Sequence, residues 1–347
     1  PITMEPGTDL KYAAVFEVLP EVKLKPAEGI ALQRPTVEVT EADVDAMIES
    51  MRRQRPVFTS VDRAAQDTDR VTIDYVGTVD GEPLKDGEAR DVHFIMGDKK
   101  VWPEFENTLR GVPAGESRTV SISFPADHAN PQLAGKTAQF ALTVKKVETQ
   151  SLPDVDEEFC RQFAVQEGGV EALRTEVRSS MTREVNEVVR QRLRAQVLDA
   201  LYRDNRFEVP RGMVEEQIQQ LQVDMARRIG ARDVSQLPPR EQFEEPAKRR
   251  VALGLLLGEL VRVEELKLDR ERVQAKLADL VASYPNPDEV RRAYLQSADA
   301  MRQIESSVME DQVIDRVVEK AKVEERPTSF KELTGFGQAS ENSENPT

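Results

Sequence analysis

Four runs of alternating apolar and polar residues, all within residues 71–147, constrain the fold of this chain more than any other feature. The first run is VTIDYVGTV, and the hairpin signal Asp80-Gly81 follows it directly. The other three runs are centred on residues 92–96, 120–124 and 138–144. Alternation at every second residue is typical of strands with one covered face and one exposed face. The pattern therefore predicts a small antiparallel sheet.

One short helix is predicted between the second and third runs. In VWPEFENTLRG, Pro103 suits the first position of a helix, and Gly111 suits the position just past its end. Phe105 and Leu109 lie four residues apart, so they share one apolar face. A short helix laid against a curled sheet leaves a concave gap, and we expect its lining to be Tyr75, Phe94, Val101, Trp102, Phe105 and Phe140.

This lining set is rich in aromatic residues, in a chain that has few of them. It holds the only Trp and three of the twelve Phe, whereas aromatic residues make up 5% of the sequence. Two interpretations stay open from the pattern alone: these side chains form the core of a small domain, or they line a pocket for a ligand. Periodicity does not separate the two, because both require apolar residues on one face of the sheet.

Helical periodicity replaces the alternation after residue 150. Apolar residues three and four apart predict helices over 170–206, 210–230, 246–267, 268–282 and 288–322. The first of these would be roughly 50 Å long, so we expect part of it to project. The predicted fold class is therefore α+β: a small antiparallel sheet with one short helix, plus an all-α domain with long projecting arms.

The helix that carries KRRVALGLLLGELV is apolar on nearly every side, which predicts the buried axis of the helical domain. Gly254 and Gly258 lie four residues apart, a spacing that permits close approach of a second helix. The most apolar run, residues 251–261, is too short to cross a bilayer. No membrane partner is therefore expected.

Charge and composition disfavour several other classes of function. The net charge of −15 disfavours direct binding of nucleic acid. Cys160 is the only cysteine, so no internal disulfide can form, which fits a reducing compartment such as the cytoplasm. His93 and His128 have no Cys or His neighbours in the sequence, so no metal site is expected. No Gly-rich phosphate loop ending in Lys-Ser/Thr is present, and we expect no cofactor.

The motifs resemble two known families. The segments VTIDYVGTVDG, HFIMGDKKVWPEFENTLRGVPAGE and SISFPADHANPQLAGKTAQFALTVKKVE resemble, in order and spacing, an FKBP-type peptidyl-prolyl isomerase domain. The segments NRFEVPRGMVEEQI and FEEPAKRRVALGLLLGELVRVEELKLD resemble the C-terminal domain of the trigger factor family of bacterial chaperones. The resemblance extends over almost the whole chain. It implies an ATP-independent chaperone that also isomerises prolyl bonds; the alternative is an isomerase whose helical part serves as a scaffold.

The resemblance also assigns roles to residues. It implies that the six lining residues form the catalytic pocket, with Leu84, Ile122 and His128 as further substrate contacts. His128 replaces a Tyr of the family's flap, and the family's pocket carboxylate would fall near Lys85 or Asp86. The helical domain would hold unfolded or nascent polypeptides on soft apolar surface, with candidate contacts at Met181, Met213, Met225, Met301 and Met309. The alternative for these five is ordinary helix–helix core.

The chain differs from the family at the N-terminus. No basic Gly-Phe-Arg loop for ribosome docking is present, and residues 1–24 resemble only the last strand of the docking domain. We therefore expect ribosome binding only through a module that this chain lacks. A monomer or weak dimer in the cytoplasm is expected.

Five segments follow as the expected domain organisation. A capping box at Thr40 to Asp43 predicts a helix that Arg55-Pro56 stops, followed by a polar linker over 57–70. The segments are an N-terminal remnant with connecting strands (1–35), a linker helix expected to pack on the helical domain (36–67), the isomerase domain (68–150), the helical chaperone domain (151–335) and a disordered tail (336–347).

Overall fold

A computed structural model describes residues 17–98, 101–126, 133–230, 236–282 and 284–337, except for the side chains of residues 85 and 86. Compactness divides the chain into two units. Residues 39–181 form one, here called the β unit, and residues 1–38 with 182–347 form the other, here called the helical unit. Each unit is described by itself.

The regular elements of the described residues follow one another in a mixed order. The strands are β1 Ala31–Thr36, β2 Val57–Ser60, β3 Arg70–Val79, β4 Glu82–Ile95, β5 Ser117–Ser123, β6 Thr137–Ser151 and β7 Lys322–Pro327. The helices are α1 Glu41–Gln54, α2 Pro103–Leu109, α3 Glu157–Gln162, α4 Gly169–Asp204, α5 Arg211–Ile229, α6 Glu241–Val263, α7 Arg270–Ala282, α8 Pro287–Gln296, α9 Ala298–Lys320 and α10 Phe330–Thr334.

The β unit is built on an antiparallel sheet, as the alternating runs predicted. The strand order is β2-β6-β3-β4, and β5 also pairs with β6. The buried residues of β3 and β6 alternate along each strand, with Val71 opposite Val147 and Ile73 opposite Val144. The predicted short helix is present as α2, whose buried Leu109 packs into the same core. The predicted fold class is therefore confirmed.

The expected polar linker over 57–70 contains a strand. β2 pairs antiparallel with the last four residues of β6, and Val57 lies opposite Ser151. Most of β2 is exposed, so it has no covered face and no alternating pattern to reveal it. Its Phe58 ring lies 3.9 Å below the guanidinium carbon of Arg70, a cation–π contact that fastens this edge of the sheet.

The helix that begins at the capping box lies in the β unit. The Thr40 hydroxyl accepts the N–H of Asp43 at 3.2 Å, and the Asp43 carboxylate accepts the N–H of Thr40 at 2.9 Å. Arg174 of α4 pairs with Glu41 at 2.7 Å and with Asp45 at 2.6 Å. These hydrogen bonds join α1 to the first part of α4. The boundaries of the expected domains stay a proposal.

The helical unit contains a two-stranded parallel sheet that periodicity did not reveal. β1 pairs with β7, so that Ala31 lies opposite Lys322 although almost the whole chain separates them. β7 is nearly all exposed and has the sequence KVEERP, so it lacks an apolar face. Gln196 of α4 forms hydrogen bonds with the main chain of β1. Its side-chain amide accepts the N–H of Gln33 and donates to the carbonyl oxygen of Gln33, each at 2.8 Å.

Two helix predictions need correction. The helix expected over 288–322 is divided at Ser297, whose hydroxyl accepts the N–H of Ala300 at 3.2 Å and so caps α9. Gly254 and Gly258 do not mark a close helix contact. A Cβ atom added at either glycine meets nothing within 4 Å among the described residues. α6 is buried along one stripe, which includes Val251 and Leu256, and is open elsewhere. None of the described helices is both long enough and apolar enough to cross a membrane.

Candidate active site and client surface

The candidate active site is centred on the residue that precedes α2. The carbonyl oxygen of Trp102 accepts the N–H of Phe105 at 2.9 Å, which closes the first turn of the helix. Pro103 occupies the first helical position, where a missing N–H costs nothing and the ring sets φ in advance. This turn therefore holds the Trp102 and Phe105 side chains in a defined relation to each other.

Five aromatic rings meet at this point. The ring of Trp102 lies 5.4 Å from Phe105, 5.6 Å from Phe140 and 5.7 Å from Phe124, measured between ring centres. Phe105 and Phe140 are 5.4 Å apart, and Tyr75 lies 5.9 Å from Phe105 and 6.1 Å from Phe140. Most pairs meet edge to face, the arrangement that the charge distribution of aromatic rings favours. We call these five residues the aromatic cluster.

Exposure across the aromatic cluster is strongly graded. Phe140 is 2% exposed and Phe105 is 5% exposed, whereas Trp102 is 45% exposed. Tyr75 lies between these extremes and packs against the core of the β unit. A large aromatic side chain that stays open beside buried rings is a feature of binding sites, because a core residue of that size would normally be covered. The cluster is thus both core and open surface, so the two interpretations of the sequence pattern are not exclusive.

The sequence pattern missed one member of the cluster. Phe124 follows β5 directly and continues the buried series of Val120 and Ile122 on that strand. Its ring contact with Trp102 makes it part of the site. The alternation of these residues was visible in the sequence and would have sufficed to add Phe124, since residues two apart on a strand lie on one face.

The remaining predicted pocket residues lie near the cluster in different degrees of burial. Phe94 and Ile122 are buried in the core of the β unit, and Val101 and Leu84 are half-buried against it. His128, and the side chains of Lys85 and Asp86, fall outside the described residues. The structure therefore brings Tyr75, Trp102, Phe105 and Phe140 together as predicted neighbours.

Charged groups gather on the opposite face of the sheet. Lys145 Nζ lies 2.5 Å from a carboxylate oxygen of Asp91 and 3.8 Å from one of Asp74. The hydrogen bond from Lys145 to Asp91 raises the pKa of the lysine. No set of three or more His, Cys, Asp or Glu side chains in the described part of the chain is placed to hold a metal ion. The chemistry at the aromatic cluster is that of an apolar site with one phenol and one indole N–H.

A groove of about 790 Å³ lies in the helical unit. It runs between α4, α5, α6 and α9, and its apolar wall includes Leu198, Met213, Leu253 and Leu257. Gly254 lies in this wall and has no side chain, so the main chain of α6 is exposed to the groove there. Charged side chains such as Arg194 and Glu310 border the groove. The arrangement offers apolar contact area with a polar edge.

Comparison with known proteins accounts for both units. Residues 1–51 match the family "Bacterial trigger factor protein (TF)", residues 61–145 match "FKBP-type peptidyl-prolyl cis-trans isomerase", and residues 169–319 match "Bacterial trigger factor protein (TF) C-terminus". The trigger factor of Idiomarina loihiensis is 42% identical over 335 residues, which cover 96% of this chain and 77% of that protein. The trigger factor of Stutzerimonas stutzeri is 41% identical over 332 residues, which cover 96% and 76%.

The chain belongs to the trigger factor family. It is a chaperone of unfolded polypeptides that carries an FKBP-type peptidyl-prolyl isomerase domain. The match over residues 169–319 favours this function over an isomerase with a helical scaffold. The match over residues 1–51 is longer than the first 24 residues, in which a likeness to the N-terminal domain was expected.

A comparison with solved structures gives a match that covers most of the chain. It is described as "Promiscuous Substrate Recognition in Folding and Assembly Activities of the Trigger Factor Chaperone". The TM-score is 0.48 at 18% sequence identity, with 86% of this chain and 73% of that chain covered.

The methionines proposed as client contacts lie in very different surroundings. Met213 is exposed and lines the groove of the helical unit. Met225 is half-buried beside Ile218 and Phe243. Met301 and Met309 both lie on α9 and are half-buried, and Met301 packs against the core that α7 and α9 form together. Met181 lies in the β unit and is 2% exposed. Met213 is thus the member of this set that the structure places most openly.

Proposed function

We propose that the aromatic cluster is the isomerase pocket and that Trp102 contacts the prolyl ring of the substrate. The observation that carries this proposal is the 45% exposure of Trp102, in contact with the buried rings of Phe105 and Phe140. A pyrrolidine ring is small and apolar, and an open indole face beside two phenyl edges offers it a fitting surface.

The chemistry of the reaction agrees with such a site. Rotation about an X–Pro bond makes and breaks no covalent bond, and its barrier of ~18–20 kcal/mol comes from the resonance of the planar amide. The twisted amide is less polar than the planar one. An apolar pocket therefore destabilises the ground state relative to the transition state. The Tyr75 hydroxyl is a hydrogen-bond donor for a substrate carbonyl on this proposal.

We propose further that the groove lined by Met213, Leu253 and Leu257 binds extended segments of unfolded clients. Exposed and half-buried apolar residues along a helical groove suit clients of varied sequence, because thioether and leucine side chains adapt to different shapes. The proposal needs neither nucleotide nor metal. We expect this function of a monomer or weak dimer in the cytoplasm, with no direct contact to nucleic acid or membrane.

The substitution Trp102→Ala tests the pocket. We expect kcat/KM for an X–Pro peptide to fall at least about tenfold, because the surface that orients the prolyl ring is lost. Val57→Ala removes a similarly exposed apolar side chain from the edge of the same sheet and serves as the matched control. Far-UV circular dichroism should be unchanged in both variants. Full activity in folded Trp102→Ala would exclude this cluster as the isomerase pocket.

A further inference from the structure

Gly77 of β3 leaves no room for any side chain. It lies directly opposite Phe140 in the pairing of β3 with β6. A Cβ atom at this position would lie 2.6 Å from Cε1 and 3.0 Å from Cδ1 of the Phe140 ring. It would also lie 3.2 Å from the carbonyl oxygen of Gly87. Carbon atoms prefer separations of about 3.5–4.0 Å, so a methyl group here forces its neighbours to move.

Space, not backbone conformation, is the reason for glycine at this position. Gly77 is absent from the residues with positive φ, so the strand conformation itself would accept other amino acids. Glycine within a strand is typical of places where another group approaches the backbone closely. The group here is the Phe140 ring, which lies over Gly77.

The crowded ring has little freedom to yield. Phe140 is buried, and the rings of Tyr75, Trp102 and Phe105 lie within 5.4–6.1 Å of its centre. The third neighbour of the added methyl is a main-chain oxygen of β4, which cannot rotate away. A methyl at position 77 therefore pushes Phe140 into the other rings or separates β3 from β4.

We propose that Gly77 is a positioning residue of the isomerase site, which acts through Phe140. Because Gly77 has no side chain, the Phe140 ring can lie close against the β3 backbone, and this contact sets the depth and tilt of the ring. The Phe140 ring in turn supports the exposed indole of Trp102. This inference rests on the proposed function of the aromatic cluster. Gly77 itself does not touch the substrate.

A double-mutant cycle in the full chain tests the inference. The variants are Gly77→Ala, Phe140→Leu and the combination of both, assayed for kcat/KM on an X–Pro peptide. Gly77→Ala should lower kcat/KM about tenfold or more, since displacement of a pocket wall by about 1 Å has large effects on orientation. In the Phe140→Leu background the same change should have less than about a twofold effect, because residues that act through one contact are not additive.

A spectroscopic measurement separates positioning from a general loss of stability. Trp102 is the only tryptophan, so its emission reports on the aromatic cluster alone. Gly77→Ala should shift this emission at a temperature where far-UV circular dichroism shows a folded protein. Gly258→Ala is the matched control: a Cβ there meets nothing within 4 Å, and both the emission and kcat/KM should stay unchanged.

Each outcome of these measurements either supports or overturns the proposed role of Gly77. The inference is overturned if Gly77→Ala lowers kcat/KM equally in the wild type and in Phe140→Leu. It is also overturned if Gly77→Ala in the wild type leaves both the emission and kcat/KM unchanged. If Gly77→Ala fails to fold, recovery of folding in the double variant supports the contact with Phe140, and failure of the double variant refutes it. If Phe140→Leu and Trp102→Ala leave kcat/KM intact, the proposed pocket itself is wrong, which is a different failure.

Discussion

Burial of the Asp69 carboxylate would destabilise the fold if the carboxylate had no hydrogen-bond partner. Asp69 is 1% exposed, and its two carboxylate oxygens accept hydrogen bonds from Arg63 at 2.5 and 2.9 Å. The N–H of Gln66 donates to the same carboxylate at 2.9 Å. Burial tends to raise the pKa of Asp69, but the guanidinium and this N–H outweigh it and hold the pKa below the ordinary value. The group anchors the turn that leads into β3.

The Asp69 carboxylate makes the stability of the β unit depend on pH. Because its pKa is lower in the folded state, the group stabilises the protein above the pKa of the unfolded chain, about 3.9, and the contribution is lost as the pH falls towards the folded value. Asp69→Asn should lower the free energy of unfolding at pH 7 by about 1–3 kcal/mol and flatten its dependence on pH below about 4. Urea titrations at several pH values measure both effects.

Asp67→Asn is the control for this prediction. Asp67 also pairs with an arginine, Arg110, at 2.7 Å, but most of its side chain is exposed. Exposed pairs contribute little, so this variant should resemble the wild type at every pH. Equal destabilisation by both substitutions would contradict the special role of the buried pair.

At the scale of elements, one side of α6 packs into the core of the helical unit and another side lines the groove. Leu256 is fully buried with Val197, Leu201 and Val313 in the core of the helical unit. Leu257, the next residue, is half-buried and lines the groove. Consecutive residues on a helix point about 100° apart, so one helix supplies a core stripe and a groove wall.

The two leucines should therefore separate stability from client binding. Leu256→Ala should lower the free energy of unfolding by about 2–5 kcal/mol, because it leaves a cavity in a packed core. Leu257→Ala should cost well under that amount but reduce the suppression of aggregation of an unfolded client. Urea unfolding and light scattering of a refolding client measure the two effects. An undiminished suppression by Leu257→Ala would count against the groove as client surface.

At the scale of the whole molecule, the candidate sites for the two functions lie in different units. The aromatic cluster belongs to residues 39–181, and the groove belongs to the helical unit. Site residues that share no contacts usually contribute independently. Isomerisation and client holding should therefore be separable by substitution in the full chain.

We expect opposite profiles from two variants of the full chain. Trp102→Ala should lose prolyl isomerisation of a short peptide while it still suppresses aggregation of a client that lacks proline. Leu257→Ala should show the reverse pattern. Parallel assays on the same preparations check this directly. Loss of both activities in either variant, with the fold intact, would mean that the two sites are energetically coupled.

Elements with a covered face could be predicted from the sequence, because burial imposes a period on the residues. β3 to β6 alternate, α2 has Pro103 at its start, and α1 begins at a capping box; each signal is local. β2 and β7 were missed because they are mostly exposed and lack such a period. The break at Ser297 was missed because a single capping hydroxyl, not a Gly or Pro, divides α8 from α9.

The sequence by itself determined which residues are apolar and with what period, and this was enough for strands β3 to β6, for most of the helices and for four members of the aromatic cluster. Only the tertiary structure decided which apolar groups stay open. Trp102 is exposed whereas Phe105 is buried, and Gly254 borders a groove whereas Gly77 lies beneath a ring. These differences depend on neighbours that are distant in the chain, and periodicity within one element carries no information about them.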